Sequence, residues 1–144
     1  EVIPVLSGTP IQLEVKNSPI DPGFEPDHRL ALETAERARP GDIVTSFNSE
    51  TVAAVRRSYP DVATGLAVTA TTALDEAVKQ CLDAGHQALV PDHSLINEEL
   101  NVDLDVYPWT VNRPERAQEL VEFGVTGIIT DDPGLIRETL RSEQ

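Results

Sequence analysis

An acid and a base two residues apart on an apolar, strand-like run are the first sign of chemistry in this chain: in "PIQLEVKN", Glu14 and Lys16 interleave with Ile11, Leu13 and Val15. Successive side chains of a strand point to opposite faces, so Ile11, Leu13 and Val15 share one face and Gln12, Glu14 and Lys16 the other. A strand of a parallel sheet is ordinarily covered on both sides, so a charged second face has to be paired, solvated or put to use. Paired, Glu14 and Lys16 make an internal ion pair. Put to use at the mouth of a barrel, where strand ends build sites, Glu14 can hold a hard divalent cation and Lys16 can reach a phosphoryl oxygen.

Other apolar runs end in the same manner. "VTSFNSE" delivers Ser46, Phe47 and Asn48, "VPDHS" delivers Asp92 and His93, and "IITDDP" delivers Thr130 and Asp131. Asn48 and Asp131 also suit helix or turn capping. His93 is one of three histidines, and nothing near it in sequence makes a triad or a metal spacing. His28, at a helix start, and His86, at the opposite strand edge, receive no role. In "DVYPWTVNRPE" a tryptophan stands among turn residues just before a helix start. The flanking Pro108, Thr110 and Asn112 place Trp109 at a rim, where a flat amphipathic ring can wall a pocket. Pro108 offers no N–H to a ladder and marks an edge, a bulge or a break.

Composition narrows the partners. The chain has 144 residues, 40% of them apolar, enough for one core and one domain. Its formal charge of −14, with Lys16 and Lys79 the only lysines, speaks against binding nucleic acid or an anionic membrane surface. An anionic ligand then has to be held locally, by a metal, a lone Lys or backbone N–H groups. The single cysteine, Cys81, excludes an intrachain disulfide, and its helical stripe makes it a buried small hydrophobe. No stretch reaches the ~20 apolar residues of a membrane span, so a soluble, cytoplasmic protein is expected.

The elements that must position these side chains repeat one unit: β-rich run, polar turn, helical stretch. Strands are expected at residues 10–16, 42–47, 62–68, 86–90, 104–111 and 126–130. One helix spans Thr72 to Ala84, with Leu74, Ala77, Val78, Cys81 and Leu82 on its buried stripe and Gly85 as its stop. Another starts at Asn112 as N-cap with Pro114 and a capping-box Glu115, buries Ala117, Leu120 and Val121, and ends at Gly124. Ser49 starts a further helix closed by Pro60, and Asp132 with Pro133 starts the last, with Leu135, Ile136 and Leu140 inward. Strands joined by helices imply a parallel sheet, either an open doubly wound one or part of a (β/α) barrel. No Gly-rich phosphate loop supports the dinucleotide-binding form. Residues 91–103 leave room for a turn and about two helical turns, a shortened crossover.

Three segments, "QLEVKN", "IVTSFNSETVAAVRRSYPDVATGLAV" and "LDVYPWTVNRPERAQELVEFGVTGIITDDP", resemble the middle and C-terminal parts of the glycerophosphodiester phosphodiesterase family, in order and spacing. The resemblance runs from about residue 1 to 140. It implies a TIM-barrel-type fold in which about six of eight strands, the third to the eighth, are present as a single partial domain over residues 1–144. It further implies hydrolysis of glycerophosphodiesters to glycerol 3-phosphate and an alcohol, with a Ca²⁺ or Mg²⁺ cofactor. By the same resemblance Glu14 would be a metal ligand and Lys16 a phosphate contact, with Phe47 and Trp109 walling the glycerol portion and Asn112 and Asp131 organising the rim.

The family's two catalytic histidines and its other metal acids belong to H-R-G and P-E-N-T motifs of its first two strands, which this sequence lacks. No catalytic residue is therefore assigned within it. "EVIPVLSGTP" looks like the helix leading into the third strand. Divalent-metal binding by this segment alone is expected to be weak or absent, since hard cations want about six oxygen ligands. Free edges near Ile11 to Val15 and near Ile128 invite self-association or pairing with a complementing N-terminal segment. A non-catalytic, barrel-derived module that binds a partner or a small anion through the Lys16 and Trp109 face stands as the alternative. An unrelated open sheet would require the strand order to reverse along the sheet.

Overall fold

The computed structural model describes residues 8–142; the expected leading helix falls on residues outside them except for Gly8 to Pro10, which are not helical. Five strands form one parallel sheet in sequential order: β1 (Gln12–Glu14), β2 (Ile43–Ser46), β3 (Ala63–Val68), β4 (Ala88–Pro91) and β5 (Asp105–Val106). The helices are α1 (Arg29–Arg37), α2 (Ser49–Ser58), α3 (Leu74–Ala84), α4 (Pro114–Glu122) and α5 (Pro133–Arg141), with one 3₁₀ turn, His93–Leu95, between β4 and β5. The order never reverses, which removes the unrelated open sheet and fits part of a barrel wall.

The alternation read from the first strand holds. Leu13 and Val15 pack with Val44, Val55, Ala31 and Ala35 on the helical side. Leu66, Val68 and Leu89 continue that layer under α2 and α3, where Cys81 is fully buried. Burial pushes the Cys81 thiol up to about 11, so it stays a protonated packing group. Val106, Val111, Ala117, Leu120 and Ile136 close the core beneath α4 and α5. Gly65 marks a close approach within the sheet: a Cβ there would sit 3.1 Å from the Ala88 carbonyl and from Thr45 Cγ2. Gly85 stops α3 in the left-handed region, at φ 72°.

Several expected details change. Residues 126–130 form no regular strand. They run beside β5, with Thr126 N–H donating to the Val106 carbonyl at 2.9 Å and Ile129 N–H to the Pro108 carbonyl at 3.0 Å. Pro108 has no N–H to return, and Gly127 lies against the Tyr107 ring, so the ladder is interrupted. The same proline cuts the fifth strand to two residues, although Trp109 N–H still bonds the Pro91 carbonyl at 3.0 Å. Arg113, not Asn112, is the N-cap of α4, and it caps with no side-chain bond, so the Glu115 box does not form. Leu82, Val121 and Leu135, placed inward by periodicity, are 50%, 49% and 43% exposed. Each is one position, about 100° around its helix, from a buried residue of its stripe: Cys81, Leu120 and Ile136.

The shortened crossover is shorter still: a single 3₁₀ turn replaces the helix. Arg116, 9% exposed, does part of the absent helix's work. Its guanidinium donates to the His93 and Ile96 carbonyls and pairs with Glu119 Oε2 at 2.8 Å. At the opposite end of the sheet, buried Asp42 ties β1 to β2, accepting from Ile11 N–H at 2.9 Å and from the Arg39 backbone and guanidinium.

Two outcomes are expected. The Arg39 guanidinium, opposed by burial and assisted by backbone donors, holds the Asp42 carboxyl down to about 2 from an ordinary 3.8. Its contribution is therefore complete above pH ~4 and is lost as pH falls toward 2. Urea melts of Asp42→Asn should show reduced stability at pH 7 and a flatter decline between pH 4 and 2. Arg116→Met should cost about 2–4 kcal/mol in the same assay, because buried carbonyls lose a charged donor; a loss under 0.5 kcal/mol would show that water replaces it.

Candidate active site

The C-terminal ends of the parallel strands carry two clefts that share one seam. The first, of about 360 Å³, is lined by the β1 end and the loop after it (Glu14 to Ser18, Ile20, Asp21), with Ser46, Phe47, Thr69 and Trp109. The second, of about 430 Å³, lies over the inner face of the sheet, among Gln12, Ala67, Val90, Thr110 and Ile129. Glu14, Lys16, Phe47 and Trp109 line both. Among the described residues Lys16 is the one basic side chain lining either cleft. Glu14 and Lys16 are both exposed and form no ion pair with each other, so the charged face of β1 is solvated and turned toward the clefts.

Phe47 and Trp109 arrive from β2 and β5 and meet edge to face, with ring centroids 5.4 Å apart and planes at 85°. Trp109 is anchored by its indole N–H, which donates to the Val90 carbonyl at 3.0 Å. Its own carbonyl accepts from His93 N–H at 2.9 Å, which links it to the turn that Arg116 holds. The peptide between Trp109 and Thr110 is cis. Phe47 remains 40% exposed, an aromatic surface kept open to the clefts.

The β1 end is fixed by a polar network that sequence reasoning did not single out. Asn17 is 4% exposed and lies just past Lys16. Its amide donates to the Glu25 carbonyl at 2.9 Å and to Thr51 Oγ1 at 3.2 Å, while its Oδ1 accepts from Glu25 N–H at 2.7 Å. Asn48 donates to the Asn17 carbonyl at 2.6 Å, and Ser46 Oγ donates to the Val15 carbonyl at 2.6 Å. His28 Nδ1 lies 3.1 Å from Thr51 Oγ1, so the histidine left without a role braces the loop. A polar residue closing an apolar strand before "SP" was the available signal, but its partners lie up to 34 positions away.

The remaining candidates sit apart from the clefts. Asn48 caps α2 through Glu50 N–H at 3.0 Å, as its capping alternative foresaw. Asn112 lines neither cleft; its amide donates to Asp131 Oδ2 at 2.7 Å and its Oδ1 accepts from Asp131 N–H at 3.0 Å, joining the two loops that follow β5 and residue 130. Thr130 donates to the same Asn112 oxygen at 3.1 Å. Asp92 is spent on the 3₁₀ turn, where Ser94 holds its carboxyl below the usual range. His93 lines neither cleft, and its buried Nδ1 has no hydrogen-bond partner among the described residues. His86 is buried at the far edge against Thr64 Oγ1, 2.8 Å away, and burial lowers its pKa.

Sequential parallel strands with helices packed against the sheet define the class of (β/α)-barrel proteins. The chain matches the model of the Glycerophosphoryl diester phosphodiesterase family over residues 11–135, and it belongs to that family. It is 28% identical over 144 residues to the glycerophosphodiester phosphodiesterase of Bacillus subtilis, covering 88% of this chain and 47% of that protein. A Silicibacter pomeroyi structure, assigned as a glycerophosphoryl diester phosphodiesterase, superposes with a TM-score of 0.76 at 26% identity, over 93% of this chain and 51% of the other. An Oleispira antarctica phosphodiesterase solved with the product sn-glycerol-3-phosphate shares the fold, with a TM-score of 0.62 at 18% identity, over 79% of this chain and 49% of the other. The chain spans about half the length of the curated relatives it matches.

Asn17→Ala should cost about 1–3 kcal/mol in urea denaturation, since it leaves buried donors and acceptors unpaired. It should also shift the emission of Trp109, the one tryptophan, as the β1 end loosens beneath the cleft.

Proposed function

We propose that this chain forms the substrate-holding side of a glycerophosphodiester phosphodiesterase, an enzyme that hydrolyses a glycerophosphodiester to glycerol 3-phosphate and an alcohol. One observation carries the reading: Glu14, Lys16, Phe47 and Trp109, assigned together by resemblance, converge on the seam of two clefts at the strand ends. In this reading Lys16 contacts a phosphoryl oxygen as a point charge, and Phe47 and Trp109 wall the glycerol portion. Asn112 and Asp131 act from behind, by holding two neighbouring loops at the rim together.

Cleavage of the diester adds water across a P–O bond, so one proton leaves the nucleophile and another reaches the departing alkoxide. Among the described residues no histidine lines either cleft, and neither proton transfer is assigned to a residue of this chain. A divalent cation, implied by the family, would take Glu14 as a ligand. The residues present do not make that site: among those described, no three His, Cys, Asp or Glu side chains lie grouped to hold a metal ion, and one carboxylate falls short of the roughly six oxygens such an ion requires. No helix among the described residues is long and apolar enough to cross a membrane. The free side of β1 is, in the same reading, where a complementing strand would pair.

Because Trp109 lies in both clefts, ligand binding is read directly from its emission. Titration of the chain with sn-glycerol 3-phosphate should change that emission saturably, and Lys16→Ala should weaken the binding at least about tenfold, the worth of a charged hydrogen bond. Absence of any saturable change with the product or with intact glycerophosphodiesters would sink the reading.

A further inference from the structure

A phosphodiester has two ester arms, and the two clefts meet at the single basic side chain among their described lining residues. If Lys16 takes the phosphoryl group, as proposed above and on which this inference rests, one arm enters the inner cleft and the other runs out along the first cleft. The inner cleft is lined by Gln12 and Thr110, side chains suited to hydroxyls, together with Ala67, Val90 and Ile129. The outer cleft is bordered by a different set: Ile20 and Asp21 beside Phe47 and Trp109.

The loop carrying Ile20 and Asp21 is built to present them. Pro19 and Pro22 fix φ on either side of the pair. Asp21 Oδ2 accepts from Ser18 N–H at 2.7 Å, and Asp21 N–H returns to the Ser18 carbonyl at 2.8 Å, closing a turn with Ile20 at its tip. Asn17 locks the loop at residue 25, and Asn48 locks Asn17. Ile20 is nevertheless 91% exposed among the described residues, a large aliphatic side chain at the border of a cleft that Phe47 and Trp109 also line. Exposed in this way, the side chain adds little to the core of the described residues. With Phe47 it forms an apolar lip, and Asp21 adds a negative charge beside it.

We infer that the 18–21 loop is the subsite that selects the departing alcohol, and that it favours an alcohol carrying an ammonium centre over a neutral polyol. An alkylated ammonium group is apolar at its periphery and cationic at its centre, which suits Ile20 and the Phe47 and Trp109 rings on one side and the Asp21 carboxylate on the other. The charge of the chain acts in the same direction. At −14, it repels an anionic diester at long range, whereas a zwitterionic diester carries no net charge to be repelled.

The test compares two diesters on the 144-residue chain by Trp109 emission: glycerophosphocholine, a zwitterion, and glycerophosphoglycerol, an anion with a neutral polyol arm. The choline diester should bind about three- to fivefold tighter, the range of an exposed cation–π contact. Asp21→Asn keeps the acceptor for Ser18 N–H, and Ile20→Ser alters a side chain that is 91% exposed. Each should bring the ratio of the two affinities toward one. Equal binding of the two diesters by the unaltered chain, or a ratio unmoved by both substitutions, overturns the inference and leaves Lys16 as the phosphoryl contact. Failure of both diesters and of sn-glycerol 3-phosphate to bind overturns this inference together with the reading it rests on.

Discussion

Everything at the site depends on how β1 is docked against β2. Only three residues of β1 pair in register, too few for ladder bonds alone to specify a position. The strand is therefore clamped at both ends by side chains of its neighbour's segment. Asp42 takes the Ile11 N–H at the bottom, and Ser46 and Asn48 take the Val15 and Asn17 carbonyls into hydrogen bonds at the top. A slip of one residue would turn Glu14 and Lys16 into the helical layer and expose Leu13 and Val15. The clamps thus fix both the hydrophobic layer and the chemistry with the same few bonds.

The opposite wall is held by a different device. Most parallel connections cover the sheet with a helix, but here β4 returns to β5 through one 3₁₀ turn. In place of a helix's bonds, a buried arginine from α4 donates to the His93 and Ile96 carbonyls of this connection. Since the His93 N–H bonds the Trp109 carbonyl, the turn that Arg116 secures also sets the indole. Phe47 and Trp109 meet edge to face because two separately anchored strand ends are brought to the same seam.

The clefts carry sparse charge. Lys16 is the one basic side chain among their described lining residues, in a strongly acidic chain, so there is no broad basic patch. Phe47 and Trp109 wall both clefts, and the two differ beyond them: Gln12 and Thr110 border the inner one, Ile20 and Asp21 the outer. Beyond Lys16, the β1–α1 loop contributes Asn17, Ser18, Ile20 and Asp21 to the first cleft and no residue to the second.

The sequence by itself determined the period-two alternation of β1, the helix stops at Gly85 and Pro60, and the assignment of Phe47 and Trp109 to strand ends. Local spacing suffices for these, because a strand or helix period is written in neighbouring residues. The motif spacing also carried the family. Tertiary structure alone decided that Glu14 and Lys16 stay unpaired, that Asn112 braces Asp131 instead of capping α4, and that residues 126–130 pair irregularly. It also revealed Asn17 and Arg116, whose partners lie 8 to 34 and 3 to 23 positions away. Those roles rest on hydrogen bonds between distant segments, and a buried donor's choice among carbonyls is settled only when packing brings them together.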